Sequence, residues 1–337
     1  MATDLAAVAK RLPLELRVRV GLDADLERTV EFQNRWADAG HWMSPAAARA
    51  MWTAAPDPSR FALLVEDERG EVQAIAVTSS GGHFASPDGS WRVTLRVAPE
   101  WRRRGVARSL LGSIEEHARE QSAKRLVAPV RGDEPEGARF ADHSGYRAFH
   151  QRIDAYIEVA AFDPSKFDDP DEIARRAGVQ LVTFEEKLSG PPAGVEAFQR
   201  RLLPVIWEMA RDVPSPTPMP EEPPPFELAR KMFFEGPGTD RPSTIVALRD
   251  GRPVGMTATM VKENGAAYTN FTGVSRAERG KGLALAMKLR VLRELRARGV
   301  KLFGTTNDES NAAMRGINRR LGYVPDPPTT MYEKRFS

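Results

Sequence analysis

One unusual phrase occurs twice in this chain, and the repetition constrains the fold more than any total does. Arg102-Arg103-Arg104-Gly105-Val106-Ala107 and Arg279-Gly280-Lys281-Gly282-Leu283-Ala284 both read R-x-x-G-x-A. Each follows a β-like run, Val93 to Val97 and Thr269 to Val274, and each opens a long amphipathic stretch. The downstream pairs Gly145-Tyr146 and Gly322-Tyr323 repeat as well. Both landmarks recur 177 residues apart, which argues for internal duplication rather than two chance loops. A chain of 337 residues has room for two domains of ordinary size.

The order of apolar patterns repeats with the loops. In the first half, strand patterns at Leu14 to Val20, Phe61 to Glu66, Val72 to Ser79 and Trp91 to Val97 surround a helical region from Leu22 to Ala54. A helix period runs from Gly105 to Gln121. A strand at Leu126 to Val130, a helix at Pro135 to His143 and a closing strand at Ile153 to Ala161 follow. The second half shows the same series between Val179 and the C-terminus. The predicted class is α+β: two tandem domains, each a mixed, mostly antiparallel sheet flanked by helices. The expected division is 1–162, a polar linker over 163–178, and 179–337. Only the second half carries the run Val213 to Pro225, whose seven prolines favour extended backbone. It reads either as a solvated loop or as a stiff wall over an acceptor site.

Several function classes fall away on composition. The absence of cysteine excludes disulfides and thiolate chemistry, and the five histidines show no metal-ligand spacing, so no metal is expected. With 49 basic and 46 acidic residues, no general affinity for nucleic acid is expected. No apolar run reaches membrane length, and Met1 to Leu16 lacks a long apolar stretch. The expectation is a cytoplasmic protein without a membrane partner; its oligomeric state is not readable.

The loops themselves suggest a ligand. A turn from strand into helix leaves backbone N–H groups pointing outward, and the helix dipole adds partial positive charge. Gly105 and Gly282 let the backbone approach a pyrophosphate closely, while Arg102, Arg103, Arg104, Arg279 and Lys281 supply formal charge. The plainer alternative is an ordinary turn with solvated arginines.

At these residues the chain resembles a known family, the GNAT superfamily of N-acetyltransferases, whose acyl-CoA loop reads Q/R-x-x-G-x-G/A. The second half is the nearer match, through Phe271-Thr272-Gly273-Val274 to Leu283-Ala284. Thr305-Thr306-Asn307, Asn311, Met314, Ile317-Asn318 and Leu321-Gly322-Tyr323 continue the likeness. Two copies in one chain resemble the tandem members, with mycothiol synthase as an architectural parallel. The resemblance implies acetyl-CoA as co-substrate, held in each half where the fourth and fifth strands splay. In the second half it implies contacts from Thr272, Gly273, Val274, Arg279, Gly280, Lys281, Gly282, Leu283, Ala284 and Asn311. In the first half the corresponding residues are Val97, Arg102, Arg103, Arg104, Gly105, Val106 and Ala107. A small-molecule amine would attack the thioester directly, with a backbone amide near Val274 or Val97 stabilising the oxyanion.

Strand alternation suggests which half reacts. Residues 11, 9 and 7 before each loop's first arginine should share a face: Tyr268, Asn270 and Thr272 in the second half, Trp91, Val93 and Leu95 in the first. The polar set could relay a proton from an amine, and the apolar set could not. Catalysis is therefore expected in the second domain, with the first as a structural CoA site. Two departures stand out. Asn318, and Ala141 in the first half, occupy the place where many members carry a tyrosine acid, and the expected base position holds no carboxylate. Asp308 and Glu309 are candidates for a base, although charge at a helix start explains them better. The expected activity is N-acetyl transfer from acetyl-CoA. Its rivals are a non-catalytic CoA sensor or scaffold, and an acyltransferase using a carrier- or tRNA-bound donor.

Overall fold

Alternating apolar and polar residues make thirteen strands among the described residues. Those of the first half are Arg17–Val20 (β1), Phe61–Glu66 (β2), Val72–Ser79 (β3), Ser90–Val97 (β4), Arg125–Arg131 (β5) and Arg147–Glu158 (β6). The second half contributes Gln180–Thr183 (β7), Ile245–Arg249 (β8), Arg252–Val261 (β9), Ala266–Val274 (β10), Leu302–Asp308 (β11), Val324–Pro325 (β12) and Thr329–Arg335 (β13). The computed structural model describes residues 5–236 and 238–336. Residues 1–4 of the N-terminal segment read above, 237 and 337 lie outside them.

The strands form one continuous mixed sheet in the order β1-β2-β3-β4-β5-β13-β6-β11-β10-β9-β8-β7, with β12 on β6. Only β4·β5 and β10·β11 are parallel; the other pairs are antiparallel. Each parallel pair is bonded at its start alone. β4 and β5 pair from Ser90↔Arg125 to Arg92↔Val127, and β10 and β11 from Ala266↔Leu302 to Thr269↔Thr305. Beyond those points the strands diverge, and a gap opens in each half toward the following loop.

The helices Val106–Glu120 and Leu283–Ala297 cover one face of the sheet. Val106, Leu110, Ile114 and Ala118 make a four-residue stripe that is buried, as are Leu283, Met287, Val291 and Leu295. Each such leucine or isoleucine contributes about 2 kcal/mol of burial. The opposite face carries the helices Leu26–Asn34 and Pro45–Ala54 in the first half and Pro192–Arg211 in the second.

Two expectations change here. The strand expected to close the first half, β6, pairs with β11 of the second from Leu302↔Glu158 to Asp308↔Arg152. The place beside β5 is taken by β13, from Thr329↔Arg131 to Arg335↔Arg125. Ala155, Ile157 and Val159 explain the exchange, because they are buried in the core under Leu283–Ala297. The segment expected to be a linker is also ordered. Asp169 caps the helix Pro170–Arg176 by accepting from the amides of Asp171 and Glu172, Ala174 is fully buried, and Asp169 and Asp171 pair with Arg293 and Arg290.

Candidate functional site

Both repeated loops turn in the same way. Gly105 and Gly282 have φ of 83° and 80° and immediately precede their helices, the left-handed geometry that glycine adopts without strain. In each loop the first arginine is tied back to its strand: Arg102 Nε donates to Val97 O and Arg279 Nε to Val274 O, both at 3.1 Å. One position differs. Gly280 has φ of 78°, and its counterpart Arg103 holds φ of 63° at a cost of about 1 kcal/mol.

The loops differ in what surrounds them. In the first half the gap between β4 and β5 widens into a cleft of about 670 Å³, lined by Leu95, Val97, Trp101, Arg102, Arg103, the turn Gly105 to Arg108 and the helix Pro135–His143. That is the size of a small-molecule site. Arg102 and Arg103 come no closer than 3.9 and 3.8 Å to Glu136. In the second half Arg276 and Arg279 both bond to Asp212, and Lys281 bonds to Glu278 at 2.9 Å. The bond from Arg276, joined by that from Arg279, holds the Asp212 carboxyl well below the usual carboxylate range against the opposing effect of burial.

The fourth strand of the second half departs from simple alternation. β10 and β9 pair Thr269 with Thr259 and Phe271 with Ala258, so Asn270 is an extra residue in a β-bulge. Before the bulge Tyr268 stands on the face opposite the helix Leu283–Ala297. After it Phe271 and Gly273 take that face, and Thr272 turns to the helix side, its Oγ1 3.3 Å from Thr257. Tyr268, Asn270 and Thr272 therefore do not share a face as expected. Asn270 points away and donates to Gly238 O at 2.9 Å. The comparison with the first half is corrected too. β4 pairs with β3 without a bulge, and Trp91, Val93 and Leu95 face the helix Val106–Glu120. The face corresponding to Tyr268 carries Arg92, Thr94 and Arg96, so apolarity does not exclude the first half.

Tyr268 is part of a polar cluster that the sequence reading missed. Where β10 and β11 part, Tyr268 Oη donates to Asp154 Oδ1 at 3.1 Å and also bonds to Thr306, which donates to the same carboxylate oxygen. Asp154 comes from β6, so the exchanged strand brings a first-half carboxylate to the second-half gap. His41 completes the group, with Nε2 3.6 Å from Asp154 Oδ2 and Nδ1 2.9 Å from Asp38. Its loop is fixed by the second half: Lys262 Nζ donates to the carbonyls of Gly40 and Trp42, and Asn264 to that of Ala39. Gly40 is required there, since a Cβ would sit 2.4 Å from the Tyr156 ring.

The electrostatics of this cluster favour a charged acid beside neutral hydroxyls. Burial pushes the Asp154 carboxyl up, but hydrogen bonds from His41, Thr306 and Tyr268 outweigh it and leave it below its ordinary value. The bond to Asp154 raises the His41 imidazole against the opposing effect of burial. Burial, then the Asp154 charge, raises the Tyr268 phenol, which stays protonated. His41 remains 22% exposed, so the cluster reaches solvent through its imidazole.

The other expected residues lie elsewhere. Asn318 is buried and donates to Asn307, whose strand position alternates with Phe303 toward the helix side, across the sheet from Tyr268. Asn311 caps the helix Ala312–Leu321, accepting from Met314 N at 3.1 Å. Asp308 accepts from Ser310 N at 2.8 Å and pairs with His150. The signal for Asp154 was its place opposite Ala155 and Ile157 in strand alternation. Its partners were hidden because they lie on strands distant in sequence.

Comparison with known proteins gives a family. The model described as "Acetyltransferase (GNAT) family" matches residues 25–146 and 206–323. Among solved structures the fold is similar to a GCN5-related N-acetyltransferase from Sphaerobacter thermophilus, at 20% identity, 96% coverage of each chain and a TM-score of 0.70. It is equally similar to a tandem GNAT protein from the clavulanic acid biosynthesis pathway, at 20% identity, 95% and 98% coverage and a TM-score of 0.70. No curated protein matches the sequence. No helix among the described residues is long and apolar enough to cross a membrane.

Proposed function

The chain belongs to the acetyltransferase (GNAT) family, and on that premise we propose that it transfers acetyl from acetyl-CoA to a small-molecule primary amine in its second half. The reading takes 179–337 as the unit in which the acyl group is transferred and 1–162 as a unit that binds CoA and lends Asp154 and His41 to that site, joined through 163–178. The observation that carries it is the Asp154 carboxylate, bonded to Tyr268 and Thr306 where β10 and β11 part.

An alkylammonium near pKa 10 must lose a proton before it can attack, which costs about 4 kcal/mol at pH 7. Tyr268 and Thr306 pass that proton to the Asp154–His41 pair, and the partly exposed imidazole hands it to solvent. The free amine then attacks the thioester carbon. Backbone N–H groups of β10 beyond the bulge, where β11 no longer pairs, meet the developing oxyanion. The turn from Gly280 to Ala284 holds the pyrophosphate at its helix start. Asn318 is an amide engaged by Asn307 and receives no proton-transfer role; the CoA thiolate takes its proton from water.

The test is thiol release from acetyl-CoA across a panel of primary amines. Tyr268→Phe should lower kcat roughly 100-fold with CoA affinity unchanged. Firm CoA binding without thiol release for any amine would favour a sensor or scaffold instead. A second reading, favoured by the open cleft beside Arg102 and Arg103, places the reaction in the first half; silencing each loop in turn separates the two.

A further inference from the structure

Asp212 ends the long helix Pro192–Arg211 and leads directly into the proline-rich run. Its carboxylate accepts from Arg276 Nε at 2.9 Å and from Nη2 of both Arg276 and Arg279. Arg279 is the first residue of the second loop, and its Nε is already committed to Val274 O. Of the guanidinium nitrogens left for a phosphate, Nη2 therefore already donates to a carboxylate. Among the described residues the first half has no such arrangement. Position 99, counterpart of Arg276, is proline, and the Glu136 carboxylate lies 3.9 Å from Arg102. Carboxylate and phosphate compete for the same planar fork of donors.

The contact also has leverage. Two residues beyond Asp212 the prolines begin, and the segment runs onto the first half. Arg125 Nη2 donates to Pro216 O and Ser86 Oγ to Pro218 O, both at 2.9 Å, while Trp207 Nε1 donates to Pro220 O at 3.1 Å. A proline-rich segment is stiff, so displacement at one end is transmitted along it.

Resting on the reading that the second half binds acyl-CoA, we infer that Asp212 is an intramolecular latch. It occupies Arg276 and the second loop's Arg279 until the arriving pyrophosphate displaces it. Loading of the second half is thereby coupled to the proline-rich strap on the first.

The test begins from a Gly105→Glu background, which silences the first loop so that calorimetry reads the second alone. There Asp212→Asn should bind CoA about fivefold tighter at low ionic strength. Asp212→Ser should do the same, which covers the case of an asparagine amide engaging the arginines itself. In the Asp212 protein CoA should hasten proteolysis at Glu221, and in the two variants cleavage should be fast with or without CoA. Equal affinities with and without the carboxylate would overturn the latch and leave CoA binding by the second half intact. No binding in any of these proteins would overturn both.

Discussion

Asp154→Asn is expected to lower kcat by about three orders of magnitude while leaving the fold and acetyl-CoA affinity in place. The amide is nearly isosteric, so β6 keeps its register on β11 and Tyr268 keeps its neighbour. What is lost is the anion that accepts from both Tyr268 and Thr306. The effect on His41 gives a second readout. Its imidazole titrates above its ordinary value mainly because of the bond to Asp154, and it must be neutral to receive a proton. Removing the carboxylate should move the acid limb of the pH–kcat profile to lower pH. A variant that weakens CoA binding but turns over normally would show that Asp154 only supports the sheet.

Lys288→Leu is expected to stabilise the protein. Lys288 lies on the helix Leu283–Ala297 with no exposed surface, its ammonium group near the Tyr323 and Phe303 rings and without a hydrogen-bond partner among the described residues. Burial pulls its amine down to about 7 from 10.5. Between those values the unfolded chain holds a proton that the folded chain lacks, so stability rises with pH through that window. Below pH 7 both states are protonated, and the buried charge costs on the order of 5 kcal/mol. The first half, 177 residues earlier, has Leu111 at this position, packed in its own core. Urea denaturation of Lys288→Leu should show a gain of about 3 kcal/mol at pH 6 that shrinks toward zero by pH 10. Destabilisation at both pH values would mean that the amine is compensated in a way the geometry does not explain.

What the sequence disclosed follows from how local each feature is. The two loops were legible because glycine spacing and a helix start are properties of consecutive residues, and both glycines do hold positive φ. The bulge at Asn270 was not. A period of two carries no mark for an inserted residue, and every later side chain on β10 then changes face. Asp154 was missed for a related reason. Ala155 and Ile157 announce a half-buried strand, but nothing near them says that β6 will lie beside β11 rather than β5. The helix within the expected linker had a local signature, Asp169-Pro170 as cap and first residue, which the polar composition of the segment obscured.

The central claim is that acyl transfer takes place at the second loop with the Asp154 cluster. It is tested most directly by thiol release from acetyl-CoA in Gly282→Glu and Gly105→Glu proteins, using an amine that the wild-type chain accepts. Each substitution puts a carboxylate where backbone must adopt a φ near 80° against a pyrophosphate. The account predicts that Gly282→Glu abolishes turnover and that Gly105→Glu retains it. Loss of turnover in Gly105→Glu with full activity in Gly282→Glu would move the reaction to the first half and contradict the account.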